Sequence, residues 1–185
     1  MRRMRAGASF AFGAALAAGI GAEDEKKGPP EKVRAFLGGE RVVGILASAS
    51  RVEVFRVFPE KPTEPMGKEC GGYPVISTGK ERDREFAAKV AAILFDEKTY
   101  DFEKAKKCEF QPGVGLRLWR DKDWVDVTLC FSCDELEVSS KKPDEKELRT
   151  SHEDFDAARP ALVKLVKEAF PDDKEIQGLA EKSEK

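Results

Sequence analysis

The period of the hydrophobic pattern changes along the chain, and each change marks an element. RVEVFRVF (51–58) alternates, with Val52, Val54 and Phe58 on one face and Arg51, Glu53 and Phe55 on the other. A period of two in β-branched and aromatic residues predicts a strand. YPVIS (73–77), VGLRLWR (114–120), WVDVTLCF (124–131) and ELEVSS (135–140) read the same way. ERVVGILASA (40–49) fits helical spacing slightly better than a strand, through Val42, Val43, Ile45, Leu46 and Ala49.

Two stretches predict longer helices. Thr78-Gly79-Lys80-Glu81 reads as a capping box, in which the Thr hydroxyl accepts a helical N–H and the Glu reaches back. Phe86, Val90 and Leu94 then share a stripe, with Ala87, Ala91 and Phe95 beside them. Thr150-Ser151-His152-Glu153 reads as a second box, opening a helix with Phe155, Leu162, Leu165, Val166 and Phe170 inward. Pro160 must kink that helix or restart it. Pro171-Asp172-Asp173 ends it, and a short terminal helix carries Ile176 and Leu179. PEKPTEPMGKECGG (59–72) and KKPDEKELR (141–149) are polar loops. Strands and helices are segregated, so the predicted class is α+β: an antiparallel sheet with amphipathic helices packed on one face.

The hairpin 114–120/124–131, joined by Asp121-Lys122-Asp123, has a legible register. If paired positions sum to 243, Leu118 faces Val125, Leu116 faces Val127 and Val114 faces Leu129. Arg117 then faces Asp126, and Trp119 faces Trp124. Every apolar pair matches and the charged pair is of opposite sign. A sum of 244 sets Arg117 against Val127 and Leu118 against Asp126, and is rejected. Extended, the same register brings Cys133 near Phe110 and Cys108 near Glu135.

The first residues change the picture of where the chain resides. Arg2, Arg3 and Arg5 precede an apolar run over 6–20, then Ile20-Gly21-Ala22 and the acidic Glu23-Asp24-Glu25. This is the pattern of a secretory signal peptide over 1–22. The run is short for a bilayer span, which takes about 20 residues. Residues 23–31 read as a charged, flexible linker and 32–182 as a single α+β domain. No later stretch is apolar enough to span a membrane. The expected location is the periplasm or the extracellular space. Without residues 1–22, three Arg leave the 33 basic side chains against 35 acidic ones, so the net charge moves from −2 to −5. The charges are mixed, without the basic stripe of a nucleic-acid binder, and 12 Phe supply material for a core.

Four cysteines carry the candidate chemistry. In an exported chain thiols tend to oxidise. The register favours a Cys108–Cys133 bridge, with Cys108–Cys130 as the close alternative and Cys70 able to reach the remaining thiol. Four cysteines allow three full pairings. A redox C-x-x-C normally lies where a strand turns into a helix, whose N-terminus lowers a thiol pKa. Cys130-Phe131-Ser132-Cys133 is followed by Asp134-Glu135-Leu136-Glu137-Val138, a strand with acidic residues. Zinc needs four ligands. Cys70, Cys108, Cys130 and Cys133 are the alternative set, with one C-x-x-C knuckle between them. His152 is the single histidine and is placed at a solvent-facing helix start. There is no G-x-S-x-G elbow. Gly71-Gly72 and Gly113-Val114-Gly115 are too short for a phosphate loop. No catalytic residue and no cofactor is expected, and partners are not specified by the sequence.

CEFQPGVGLR (108–117) followed by VDVTLCFSC (125–133) resembles a group of uncharacterised exported bacterial proteins. In them a Cys…Pro…Gly-hydrophobic-Arg segment precedes a strand ending in C-F-x-C. The likeness runs from Val52 through Tyr73-Pro74-Val75 to the last helix. Members of the group commonly carry a His after that Pro, where this chain has Gly113-Val114-Gly115, which weighs against a Cys/His metal site there. The resemblance implies export and a fold, not an activity. The expected function is therefore that of a non-enzymatic binding or envelope-associated domain supported by a disulfide. The alternatives are a thiol-disulfide oxidoreductase and a zinc-binding domain.

Overall fold

The computed structural model describes residues 28–64, 67–103, 106–142, 144–145 and 147–182. The expected signal peptide, and the linker as far as residue 27, lie outside them. Glu31, placed at the linker's end, instead opens a helix, α1 (Glu31–Leu37), which buries Val33 and Leu37 one turn apart. Helix α2 (Glu40–Ser48) follows, burying Val42, Val43, Ile45 and Leu46 at helical spacing.

The chain then enters the sheet with β1 (Arg51–Val57) and adds β2 (Glu69–Cys70), β3 (Tyr73–Thr78) and β4 (Arg82–Asp83). Helix α3 (Arg84–Phe95) leads to the main meander, β5 (Val114–Arg120), β6 (Asp123–Cys130), β7 (Glu135–Ser140) and β8 (Arg149–Asp154). Helices α4 (Arg159–Ala169) and α5 (Lys174–Gln177) close the chain. All pairings are antiparallel, in the order β2-β3-β1-β5-β6-β7-β8, with β4 also on β1. The class is α+β.

The hairpin register is the expected one at every pair from Val114↔Leu129 to Trp119↔Trp124. The turn is tighter than expected: Arg120 pairs with Asp123, and Asp121 takes a left-handed φ of 54°. Val52, Val54, Leu116, Leu118, Val127, Leu129 and Leu136 are buried together with Ile45, Phe86, Val90, Leu94, Leu162 and Val166 in the main core. Burying a side chain of this size contributes about 1.5–3 kcal/mol. Phe55, Val57, Cys70 and Tyr73 form a second, smaller cluster.

Both expected capping boxes are overturned. Thr78 pairs with Phe55 at the end of β3, and α3 starts later, capped by Asp83, whose side chain accepts from Phe86 N–H at 3.0 Å. Thr150-Ser151-His152-Glu153 lies within β8, paired to β7. The helix expected there begins only at Arg159, with Pro160 in its first turn, where a missing N–H costs nothing. The alternation of 51–58 sets Phe58 on the same face as Val52 and Val54, which are buried. A register shift between Arg56 and Val57 instead buries Val57 and leaves Phe58 47% exposed. Cys70, expected in a loop, is a buried strand residue packed on Gly115, where a Cβ would stand 2.7 Å from the Cys70 Sγ.

Candidate functional site

The segment between α3 and β5 has no regular structure over 106–113, yet it is anchored. Cys108 is bridged to Cys133, with their Cα atoms 6.0 Å apart. Cys133 lies in the turn that carries β6 into β7, where Asp134 adopts a φ of 57°. Lys106 Nζ donates to the carbonyls of Cys133 at 2.7 Å and Asp134 at 3.3 Å. Arg159 pairs with the Asp134 carboxylate and donates to Phe131 O at 2.7 Å. Two well-anchored loops are thus pinned together at one end of the sheet.

Between them and the end of β1 opens a groove of about 630 Å³. Its walls include Phe58, Ile76, Pro112, Phe131 and Leu179, with Arg56 at the rim held by Asp173 and Glu175. Phe58 and Ile76, which is 62% exposed, are the large exposed hydrophobics of the described residues. Sequence reasoning missed this groove because its walls come from five separate segments. The one local signal was a pair of apolar residues beside a polar loop.

The C-x-x-C is divided between two settings. Cys133 is bridged, while Cys130 is a buried free thiol at the end of β6, its Sγ 3.1 Å from Ser132 Oγ. No helix begins within the turn that separates them; the chain continues into β7. Cys70 is also free and buried; burial, with Asp126 nearby, pushes its thiol well above the ordinary range. The four cysteines do not gather: among the described residues, the metal-ligating side chains within reach of one another are Cys108, Cys133 and Glu135, without Cys70 or Cys130.

His152 is not at a helix start. On β8 it pairs with Glu137 of β7, its Nδ1 lies 3.9 Å from Glu137 Oε1, and its Nε2 lies 3.4 Å from Glu135 Oε1. The neighbouring Glu137 carboxylate raises its pKa, against the effect of burial, and Glu135 adds to the rise. Burial alone would push Glu137 up, but His152 and Lys61 hold it below its ordinary value. Tyr73 is pushed up by burial and by Glu137. The His152 ring thus stands between two carboxylates of the neighbouring strand. The Phe110 ring packs against it, centroids 4.9 Å apart. Missing β8 as a strand is what hid the Glu135–His152–Glu137 row.

No family model, no curated protein and no solved structure matches this chain. Among the described residues, no helix is long and apolar enough to cross a membrane.

Proposed function

We propose that this protein is an exported, non-enzymatic binding domain whose binding surface is the groove beside the Cys108–Cys133 bridge. One observation carries the reading: both large exposed hydrophobics, Phe58 and Ile76, line the same cavity. Its volume falls in the usual range for ligand sites, about 300–1,000 Å³. In this reading amphipathic helices α2, α3 and α4 cover one face of the sheet, and the groove at the sheet's end is left for an apolar ligand. The bridge ties Cys108, near the Pro112 wall, to Cys133, beside the Phe131 wall, so the disulfide supports the groove's shape. Export is supported by the basic start, the apolar run and the resemblance to exported bacterial proteins, and a disulfide is compatible with it.

The apolar dye ANS tests the groove. Native protein should enhance its fluorescence, and Phe58→Ser with Ile76→Ser should abolish the enhancement without changing the melting temperature. An unchanged signal in the double variant overturns the assignment. Insulin reduction that disappears with Cys130→Ser overturns the non-enzymatic reading. The N-terminus of native protein should fall at or near Glu23, and an intact Met1 on cytoplasmic protein overturns export.

A further inference from the structure

The bridge has a neighbour that a purely structural disulfide does not require. Glu135 is 3% exposed, and its Oε2 has no hydrogen-bond partner. A buried carboxylate oxygen without a donor is costly and rare in native proteins. That carboxylate and the sulfurs of Cys108 and Cys133 all lie within 4.8 Å of one another. His152 lies outside that group of three and meets it at the other carboxylate oxygen, Oε1, 3.4 Å from its Nε2. Across the imidazole, Glu137 faces Nδ1. With Glu137 on the Nδ1 side, Nε2 is the nitrogen that faces Glu135. The strand register Glu137↔His152 builds this orientation into the sheet.

We propose that, once the Cys108–Cys133 bridge is reduced, the protein binds one zinc ion through Cys108, Cys133, Glu135 and His152. Two thiolates, an imidazole and a carboxylate form a four-coordinate set suited to zinc, and too soft for magnesium or calcium. A cavity of about 320 Å³ lined by Glu135, His152, Lys106 and Asp154 gives an ion a way in. Lys106 in that lining is itself paired with Asp154 and Asp156. The reductant is a dithiol. One of its thiolates attacks Cys108 Sγ, the exposed end of the bridge, and Cys133 leaves as a thiolate. The dithiol's second sulfur then displaces Cys108. The dithiol departs as a disulfide, having given two electrons, and zinc takes the place of the two thiol protons. The proposal is independent of what the groove binds.

Cobalt(II) is the probe, added to the full chain after reduction by a phosphine and removal of oxygen. The expected result is one equivalent bound, with thiolate charge-transfer bands and the visible bands of a tetrahedral ion, displaced by zinc. Oxidised protein should show none of these. Glu135→Gln, which keeps the side chain's size, and His152→Ala should each weaken binding about ten-fold or more, with the far-ultraviolet dichroism unchanged. Cys70→Ala with Cys130→Ala should bind like the wild type. The proposal is overturned by reduced protein that gives no tetrahedral cobalt spectrum, by Glu135→Gln and His152→Ala variants that bind as tightly as the parent, or by bands lost with Cys70 and Cys130.

Discussion

Arg117 grips Asp126 across the β5–β6 hairpin with two parallel hydrogen bonds, Nε to Oδ1 at 2.7 Å and Nη2 to Oδ2 at 2.8 Å. Asp126 has no exposed surface, and Gly71 N–H donates to it at 2.7 Å, while Arg117 Nη2 also donates to Glu69 O at 2.6 Å. The pair therefore ties the β2–β3 hairpin to the central strands. Burial pushes the Asp126 carboxyl up and the guanidinium pulls it back. A cross-strand pair on a surface is worth under about 1 kcal/mol. Breaking a buried one costs about 3–5 kcal/mol, because the survivor is left uncompensated. Asp126→Ala and Arg117→Ala should each fall in that range by urea unfolding. An apolar pair, Arg117→Met with Asp126→Leu, should recover a large part. Single-variant costs below about 1 kcal/mol would show that the pair does not hold the hairpins together.

The bridge closes 26 residues counted inclusively, from a separation of 25. In the chain-entropy model a loop of that size stabilises by roughly 3 kcal/mol. Cys133→Ser should lower the melting temperature by several degrees, and reductant should bring the wild type close to the variant. Denatured, unreduced protein should titrate as two thiols, Cys70 and Cys130. Four would mean the bridge is absent.

Gly115 is fixed by what lies above it. A Cβ there would stand 2.7 Å from Cys70 Sγ and 3.2 Å from a Val57 methyl. Gly115→Ala should cost about 1–3 kcal/mol, as overpacking typically does. Cys70→Ala, which removes the nearest obstacle, should recover part of that loss in the double variant. Strict additivity of the two single changes would show that the contact is not the cause.

The His152–Glu137 pair sets a pH window. His152 has its pKa raised above 6.5 by the carboxylates of Glu137 and Glu135, against burial. Its contribution to stability is fully present below pH 6.5 and lost as pH rises through the higher folded value. Glu137 is pushed up by burial but held below 4.5 overall by His152 and Lys61, so its contribution is present above pH 4.5 and lost as pH falls through the lower folded value. Stability from the pair is greatest between pH 4.5 and 6.5. The urea midpoint should decline just above pH 6.5 in the wild type, and His152→Gln should flatten that decline. An equal slope in both proteins would remove the pair from the account.

The central hairpin was legible because each of its apolar positions has one matching partner, and the same register placed Cys108 beside Glu135. The helices α3 and α4 were legible in their buried stripes but not in their starts. Thr78 and Thr150 each stand three residues before a Glu, so both tetrads mimic a capping box. Their backbones are claimed instead by strand partners distant in sequence, Phe55 and Ser139. The cap that α3 uses, Asp83, sits five residues beyond the apparent one. Two-residue strands such as β2 carry no periodicity, so Cys70 read as a loop. The groove was illegible for a related reason: Phe58 turns outward only because the pairing shifts at Arg56.

The polar character that disguised β8 also governs how the sheet ends. β8 is its last strand, with β7 on one side, and it presents Arg149, His152 and Glu153 along Arg149–Asp154. Ionic residues on an outermost strand oppose the addition of a foreign strand. At the opposite margin β2 offers only Glu69 and Cys70, too short a template for a partner to zip against. Copies in concentrated solution therefore resist polymerising strand to strand through β8 or through β2.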